Sequence, residues 1–209
     1  MPSYAIIGGS RGIGLELVRQ LSDNSENIVF VTVRNIATSV HLSSFVSQSG
    51  RKNVHVLQAD VVNHHALKVA ADKVSELTGG TLDVLIHNAA RMDNTSLYRR
   101  LTDYCKRSRV PSISVLRGIQ QFRVNVLGIV HSINAFLPLL RKGGSKKILV
   151  MSSGAGDREL AWKARVATFS AYGTTKAAAN MVMTKYAVLL ESEGFTVFAL
   201  SPGYVDTTD

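Results

Sequence analysis

Six short apolar runs recur along the chain, at residues 4–7, 28–33, 53–58, 82–87, 147–151 and 196–200. They are nearly continuous in Val, Ile, Leu and Phe rather than alternating, which predicts parallel strands covered on both faces. The segments between them carry helical spacing. Ile13, Leu17, Val18 and Leu21 share one face, and so do Leu67, Ala70, Ala71 and Val74. Longer helical stretches run over 124–140 and 172–190, with Pro138 placed to terminate or kink the first. Strands alternating with helices predict an α/β fold, an open doubly wound parallel sheet (a Rossmann fold) with right-handed crossovers. No linker, repeat or low-complexity tract interrupts the pattern, so residues 1–209 read as one domain holding both binding and catalytic residues.

Composition narrows the class. The 209 residues are 45% hydrophobic and 19% charged, enough for a core and unlike a disordered chain. A single cysteine, Cys105, excludes an intrachain disulfide and a zinc site built on several cysteines. His64-His65 has no third ligand at a matching spacing, so no metal is expected. No run of about 18 apolar residues predicts a membrane span. The N-terminus runs straight into Gly8-Gly9 and reads as a strand rather than a signal peptide, so a cytoplasmic location is expected. The 24 Lys and Arg exceed the 15 Asp and Glu by nine, which suits an anionic ligand or partner. Residues 104–121 hold Lys106, Arg107, Arg109 and Arg117 with no acid and no clean period, and are expected to form an irregular or weakly helical insertion.

After the first run comes Gly8-Gly9-Ser10-Arg11-Gly12-Ile13-Gly14, and a helix follows. Gly8 allows a sharp turn off the strand, Gly12 a close approach of backbone to a pyrophosphate, and Gly14 tight helix-on-strand packing. The helix N-terminus would face the phosphates with free N–H groups. A strand before the loop and a helix after it are the context that makes such a loop a dinucleotide site. An NAD site places an acid after the second strand, but here Arg34-Asn35 follows. Arg34, with Ser10 and Arg11, suits a 2′-phosphate, so NADP(H) is favoured over NAD(H).

Tyr172 and Lys176 stand four apart at the start of a helical stretch, on one face. A phenol titrates near 10, and a neighbouring ammonium favours its ionised form, which fits it for acid–base work on a carbonyl or alcohol. Ser152-Ser153 ends the fifth strand, at the edge where such sheets bind ligands. Asn125 sits in an apolar helical stretch, where its amide demands partners.

With these residues the chain resembles the short-chain dehydrogenase/reductase family, and more loosely its small carbonyl-reductase-like branch. The glycine loop matches that family's Gly-x-x-x-Gly-x-Gly. Asp60-Val61 matches its adenine-contacting acid, and His87-Asn88-Ala89-Ala90 is similar to its Asn-Asn-Ala-Gly. Asn125, Ser153, Tyr172 and Lys176 match its catalytic set, Ser153 being preferred to Ser152 because Ser153-Gly154-Ala155-Gly156 fits Ser-x-x-Gly. Pro202, Gly203, Val205 and Thr207 match the segment beside the nicotinamide. The resemblance implies hydride transfer between the cofactor and a small-molecule carbonyl or secondary alcohol. Ser153 would orient the carbonyl and Tyr172 pass the proton. Lys176 would lower the phenol pKa and hold the ribose, and Asn125 would support a water relay. It also implies a homodimer or homotetramer.

Three features depart from the pattern. The step from Ser153 to Tyr172 is longer than is common, which places extra residues around 157–168 at the mouth of the site. Trp162, within them, reads as a substrate contact or a loop anchor. The basic stretch 104–121 replaces a helix that is often acidic. The sequence stops after the Pro-Gly segment, where the family continues into a substrate-covering lobe and a seventh strand. That last feature motivates an alternative, a non-catalytic NADP(H)-binding sensor or interaction protein. Nucleic-acid binding is disfavoured by the lack of an aromatic-interleaved basic motif.

Overall fold

The apolar runs pair as strands in the computed structural model, which describes residues 1–95, 97–104 and 113–207. The strands are β1 (Ser3–Ile7), β2 (Ile28–Val33), β3 (Val54–Gln58), β4 (Val84–His87), β5 (Lys147–Met151) and β6 (Thr196–Leu200). They form one six-stranded parallel sheet in the order β3-β2-β1-β4-β5-β6. Helices fill the crossovers: α1 (Gly12–Asp23), α2 (Val40–Ser49), α3 (His64–Thr78), α4 (Ile113–Phe122), α5 (Gly128–Leu140), α6 (Arg158–Lys163) and α7 (Ser170–Leu190). A π-helical turn, Arg123–Leu127, joins α4 to α5.

The sheet buries apolar side chains on both faces because neighbouring residues point opposite ways. Ala5, Ile7, Phe30, Leu85, Ile148 and Val150 pack towards α3, α5 and α7. Ile6, Val29, Val31 and Ile86 pack towards α1 and α2. Strand order reverses between β1, which leads out to β2 and β3, and β4, which leads to β5 and β6. That reversal opens a crevice at the carboxyl ends of β1 and β4, the place where open α/β sheets bind ligands.

The strands form close to where the pattern places them, with two boundaries shortened. Asn53 is a clasp rather than a strand residue: its Nδ2 lies 3.1 Å from the carbonyl oxygens of Ser22, Asn24 and Asn27. Leu82 is fully buried, but its backbone N–H bonds to Leu139 O instead of a strand neighbour. Pro138 does not end α5, which continues to Leu140. The stretch Arg117–Leu140 is long and apolar enough to cross a membrane by length and composition, yet 61% of its most apolar window is buried inside the fold.

Two helices lie where the pattern gives no clear period. α2 is rich in serine, a weak helix former, and is held by Leu42, Phe45 and Val46 at helical spacing. It ends at Gly50 in the left-handed region, φ 60°. α6 starts where the Asp157 carboxylate caps Glu159 N and Leu160 N.

Of the two expectations for 104–121, irregular or weakly helical, the part described is helical. Residues 113–121 lie in α4, which runs through the π turn into α5. Arg117 is not idle, since it pairs with Asp93 at 3.6 Å and hydrogen-bonds Thr95 Oγ1. Lys106, Arg107 and Arg109 fall outside the described residues.

Phe136, fully buried between α3, α5 and the sheet, tests this core. Phe136→Ala is expected to lower unfolding free energy by about 3–5 kcal/mol in urea titration, through lost transfer energy plus the cavity.

Candidate active site

β1 leaves the sheet at Gly8, whose φ of 89° suits glycine. The N–H groups of Gly8 and Gly9 both donate to Thr32 O, at 3.1 and 3.2 Å, so the turn is fastened to β2. A Cβ at Gly14 would stand 2.2 Å from the Gly8 carbonyl oxygen and 2.5 Å from Asn88 Nδ2. The start of α1 therefore rests on the loop backbone. Asn88 Nδ2 donates to Gly8 O at 2.7 Å, and Ala89 N to Ile7 O at 2.8 Å, tying the end of β4 to the loop.

The first turn of α1 contains no acid, and its N-cap, Arg11, makes no side-chain capping bond. Among the described residues the N–H groups of this turn thus meet no side-chain acceptor, and Ile13 sits half-buried in it. Gly12, at φ 55°, faces Thr207, with room for a Cβ only 3.1 Å from Thr207 Cγ2. Ser10 is half-buried; Arg11 and Arg34, at the carboxyl end of β2, are exposed. Asp60 Oδ1 accepts from Val62 N at 3.1 Å, and buried Val61 packs over Gly128 while His131 Nδ1 donates to its carbonyl oxygen at 2.9 Å. Pro202, Gly203, Val205 and Thr207 lie exposed along the segment after β6. Ser201 Oγ in that segment accepts from Gly154 N at 3.0 Å, which joins it to the turn behind Ser153. Open N–H groups, a side-chain-free backbone at Gly12 and the exposed Arg11 and Arg34 fit the pyrophosphate and adenosine end of a dinucleotide.

The four residues singled out for catalysis come together at the end of β5. Ser153 caps the turn Gly154–Gly156, its Oγ accepting from Ala155 N at 3.2 Å, and its hydroxyl acts on the Tyr172 phenol. Burial pushes the phenol up and the Ser153 bond pulls it back, leaving it above its ordinary value. Lys176 is 3% exposed, and its Nζ donates to Met151 O at 2.6 Å. Burial lowers its pKa to about 8. The ammonium lies 5.7 Å from the Tyr172 ring centroid. In this arrangement the hydrogen bond that lowers the phenol pKa comes from Ser153, while Lys176 is turned to the strand end.

Asn125 projects from the π turn, a wide helical turn often found at functional sites. Its Oδ1 accepts from Arg91 N at 2.7 Å, and its Nδ2 donates to Arg91 O and Thr175 Oγ1, both at 2.9 Å. One amide thus braces the loop after β4 against α7. Ser152, the alternative to Ser153, turns away and donates to Asn180 Oδ1 at 2.5 Å.

Several supporting residues carry weak sequence signals. A Cβ on Gly9 would meet Val31 Cγ2 at 2.3 Å; on Gly156, the Lys176 backbone at 2.6 Å; on Gly173, Ala155 O at 2.6 Å. The last two press the Ser153 turn onto the first turns of α7. Thr175, buried, donates to Tyr172 O and accepts from Asn125. A Gly-x-Gly after Ser153 was the one hint of that contact.

His87 is 1% exposed, with Nδ1 3.1 Å from Ser132 Oγ. Burial first, then the Lys176 charge, lower its pKa to about 3, outweighing the Ala89 backbone, which favours the protonated form. The neutral imidazole is therefore the folded form, while an unfolded chain protonates it near 6.5. Unfolding takes up a proton below that value, so this contribution to stability is present above pH 6.5 and is lost as pH falls towards 3. Between pH 7 and pH 5 the loss is about 2 kcal/mol. Urea titrations at the two pH values should show His87→Asn losing less stability than the unaltered protein by about that amount.

The short chain dehydrogenase family profile matches residues 3–209. A short-chain dehydrogenase/reductase of Arthrinium sp is 42% identical over 207 residues, covering 99% of this chain and 76% of the relative. One of Aspergillus aculeatus is 41% identical over 210 residues, covering 100% and 76%. Among solved structures, the carbonyl reductase Sniffer of D. melanogaster superposes with TM-score 0.85 at 26% identity, covering 100% of this chain and 83% of that one. The NADPH-bound carbonyl reductase from chicken fatty liver gives 0.81 at 25% identity, covering 99% and 77%. The chain belongs to the short-chain dehydrogenase/reductase family of oxidoreductases.

Proposed function

We propose that this oxidoreductase uses NADP(H) to interconvert a carbonyl and an alcohol, with Tyr172 as general acid–base. The observation that carries the reading is the meeting at the carboxyl end of β5 of the Tyr172 phenol, whose pKa the Ser153 hydroxyl lowers against the effect of burial, and of the buried Lys176 one turn further along α7. The bound cofactor supplies the hydride for reduction and takes it up in oxidation. The chain's residues do the rest. Ser153 Oγ accepts from Ala155 N, which leaves its own proton free to donate. A substrate carbonyl oxygen placed between Ser153 and Tyr172 receives the Ser153 hydrogen bond and then the Tyr172 proton, becoming the alcohol. A phenol held above its usual pKa remains protonated at neutral pH, ready to act as the acid.

Lys176 keeps a positive charge beside the resulting phenolate below about pH 8. Asn125 holds the loop after β4 and α7 at a fixed separation through Arg91 and Thr175. The cofactor preference rests on Arg34, which occupies the position after β2 where an acid would hold a ribose hydroxyl. Arg11 adds a second cation at the helix N-terminus, and Gly12, Asp60, Asn88 and Thr207 complete the cradle. Two structural relatives are consistent with it: the chicken liver carbonyl reductase carries NADPH, and an alcohol dehydrogenase of Thermococcus sibiricus carries 5-hydroxy-NADP.

Tyr172→Phe is expected to lower kcat about a thousandfold while NADPH still binds, measured by nicotinamide fluorescence. Turnover surviving in that variant removes the proposed acid. Arg34→Ala should weaken NADPH about tenfold and leave NADH binding unchanged in the same titration; equal affinities for the two cofactors in the unaltered protein would remove the preference.

A further inference from the structure

The connection from β5 to α7 puts an aromatic ring in water beside the site. Trp162, midway between Ser153 and Tyr172 in sequence, is 71% exposed, and Leu160 and Val166 are 51% and 44% exposed. Trp162 lines an open cleft of ≈ 640 Å³ together with Arg158, Glu159, Ala161, Lys163 and Val166. The helix that lines the cleft, α6, follows directly on the catalytic turn. A Cβ on Gly154 would meet Leu160 Cδ2 at 3.0 Å, so α6 rests on the turn that Ser153 caps. At its other end the connection is pinned just before Tyr172, where Phe169 N donates to Leu97 O at 2.7 Å and the Phe169 ring lies 6.1 Å from that of Tyr98.

The charges around the ring are unequal. Lys163 is paired with Glu159 at 3.4 Å, but Arg158 and Arg165 make no ion pair among the described residues. Arg165 places its guanidinium 4.7 Å over the Trp162 ring. An indole held open to solvent forgoes the gain of burying a large ring, and a second flat ring laid against it would recover that gain. A cation over the same indole would meet an anionic group carried by that second ring.

We propose that the Trp162 face is the outer substrate subsite, selecting aromatic carbonyl compounds that carry an acidic group, with Arg158 and Arg165 as counter-ions. The assignment rests on the carbonyl-reducing activity proposed above. It explains the length of the Ser153–Tyr172 connection: the extra residues build a platform outside the reacting centre.

Three ketones and one fluorophore separate the possibilities. The probes are 6-acetyl-2-naphthoic acid, neutral 2-acetonaphthone and small 2-butanone. Trp162 is the single tryptophan of the chain, so its emission reports on this face without any turnover. The acid should quench it saturably and be reduced with kcat/KM at least tenfold above that of 2-acetonaphthone. Trp162→Ala should lower the naphthyl-to-butanone ratio of kcat/KM at least tenfold, mainly through KM, and Trp162→Phe should restore most of it. Arg158→Gln combined with Arg165→Gln should bring the acid down to the level of the neutral ketone.

Reduction of 2-butanone with no quenching by either naphthyl compound, or with an unchanged ratio in Trp162→Ala, overturns the subsite and leaves the activity standing. Equal quenching and turnover for acid and neutral ketone overturns the acidic selectivity. Saturable quenching by the acid with no ketone reduced supports the subsite and counts against the activity. Concentration-dependent dimerisation that blue-shifts Trp162 emission and excludes the acid assigns the face to a second copy, and overturns the proposal.

Discussion

A Cβ at Gly14 would stand 2.2 Å from the Gly8 carbonyl oxygen, and one at Gly156 would stand 2.6 Å from the Lys176 backbone. These contacts let main chain touch main chain at the carboxyl edge of the sheet, where ordinary side chains would hold helices and turns apart. The first seats α1 with its open N–H groups over the crevice between β1 and β4. The second seats α7 against the turn that follows β5, and Gly173 against Ala155 O reinforces it. The distance from Ser153 to Tyr172, and from Tyr172 to the glycine loop, follows from how closely those backbones approach. Chemistry that depends on placing a phenol within a fraction of an ångström requires such rigid supports.

Beneath that edge lies a polar cluster that the fold keeps out of water. Lys176 is nearly fully buried, yet its charge meets the Met151 carbonyl at a strand end, and its pKa falls to about 8. Removing a charge from water costs several kcal/mol even after relaxation, so the carbonyl dipole and nearby polar groups offset only part of the loss. His87 stays neutral chiefly because it too is buried, with the Lys176 charge adding to the effect. Asn125 answers the burial differently, filling both ends of its amide with Arg91 and Thr175. The π turn is what lets it reach them, because the widened turn re-aims one side chain without ending the helix. Stability given up in burying the lysine is thus tied to having a cation beside the phenol.

The carboxyl-edge connections divide the labour. Those after β1 and β2 carry glycines and arginines suited to phosphate, and the one after β4 carries Asn88 and the Arg91 backbone that anchor the loop and Asn125. The connection after β5 runs from Ser153 to Tyr172 and carries the exposed Trp162 between them. The segment after β6 lies back across Gly12 through Thr207 and joins the Ser153 turn through Ser201. β6 itself is largely exposed, with Phe198 and Leu200 each 42% accessible, whereas the interior strands are covered on both sides.

Much of this was legible along the chain. Six continuous apolar runs fixed the parallel sheet, since strands buried on both faces admit few polar residues. The glycine spacing marked the tight turn between β1 and α1, and the four-residue interval put Tyr172 and Lys176 on one face. All three are local signals. α2 stayed hidden because serine blurs its period, and it folds only because Leu42 finds a buried place against the sheet. The helix at 113–122 shows no clean apolar period, and its one cation, Arg117, finds Asp93 on a distant loop. Likewise nothing near Asn125 announces Arg91 or Thr175, and nothing near His87 announces Ser132 and Lys176. Those pairings join residues far apart in sequence, and burial, which sets the pKa of each group, exists only once the layers have closed. Periodicity therefore determined the fold, and the motifs that resemble the short-chain dehydrogenase/reductase family pointed to its class of chemistry. Tertiary structure alone decided which polar groups are charged, which are braced, and which ring remains in solvent.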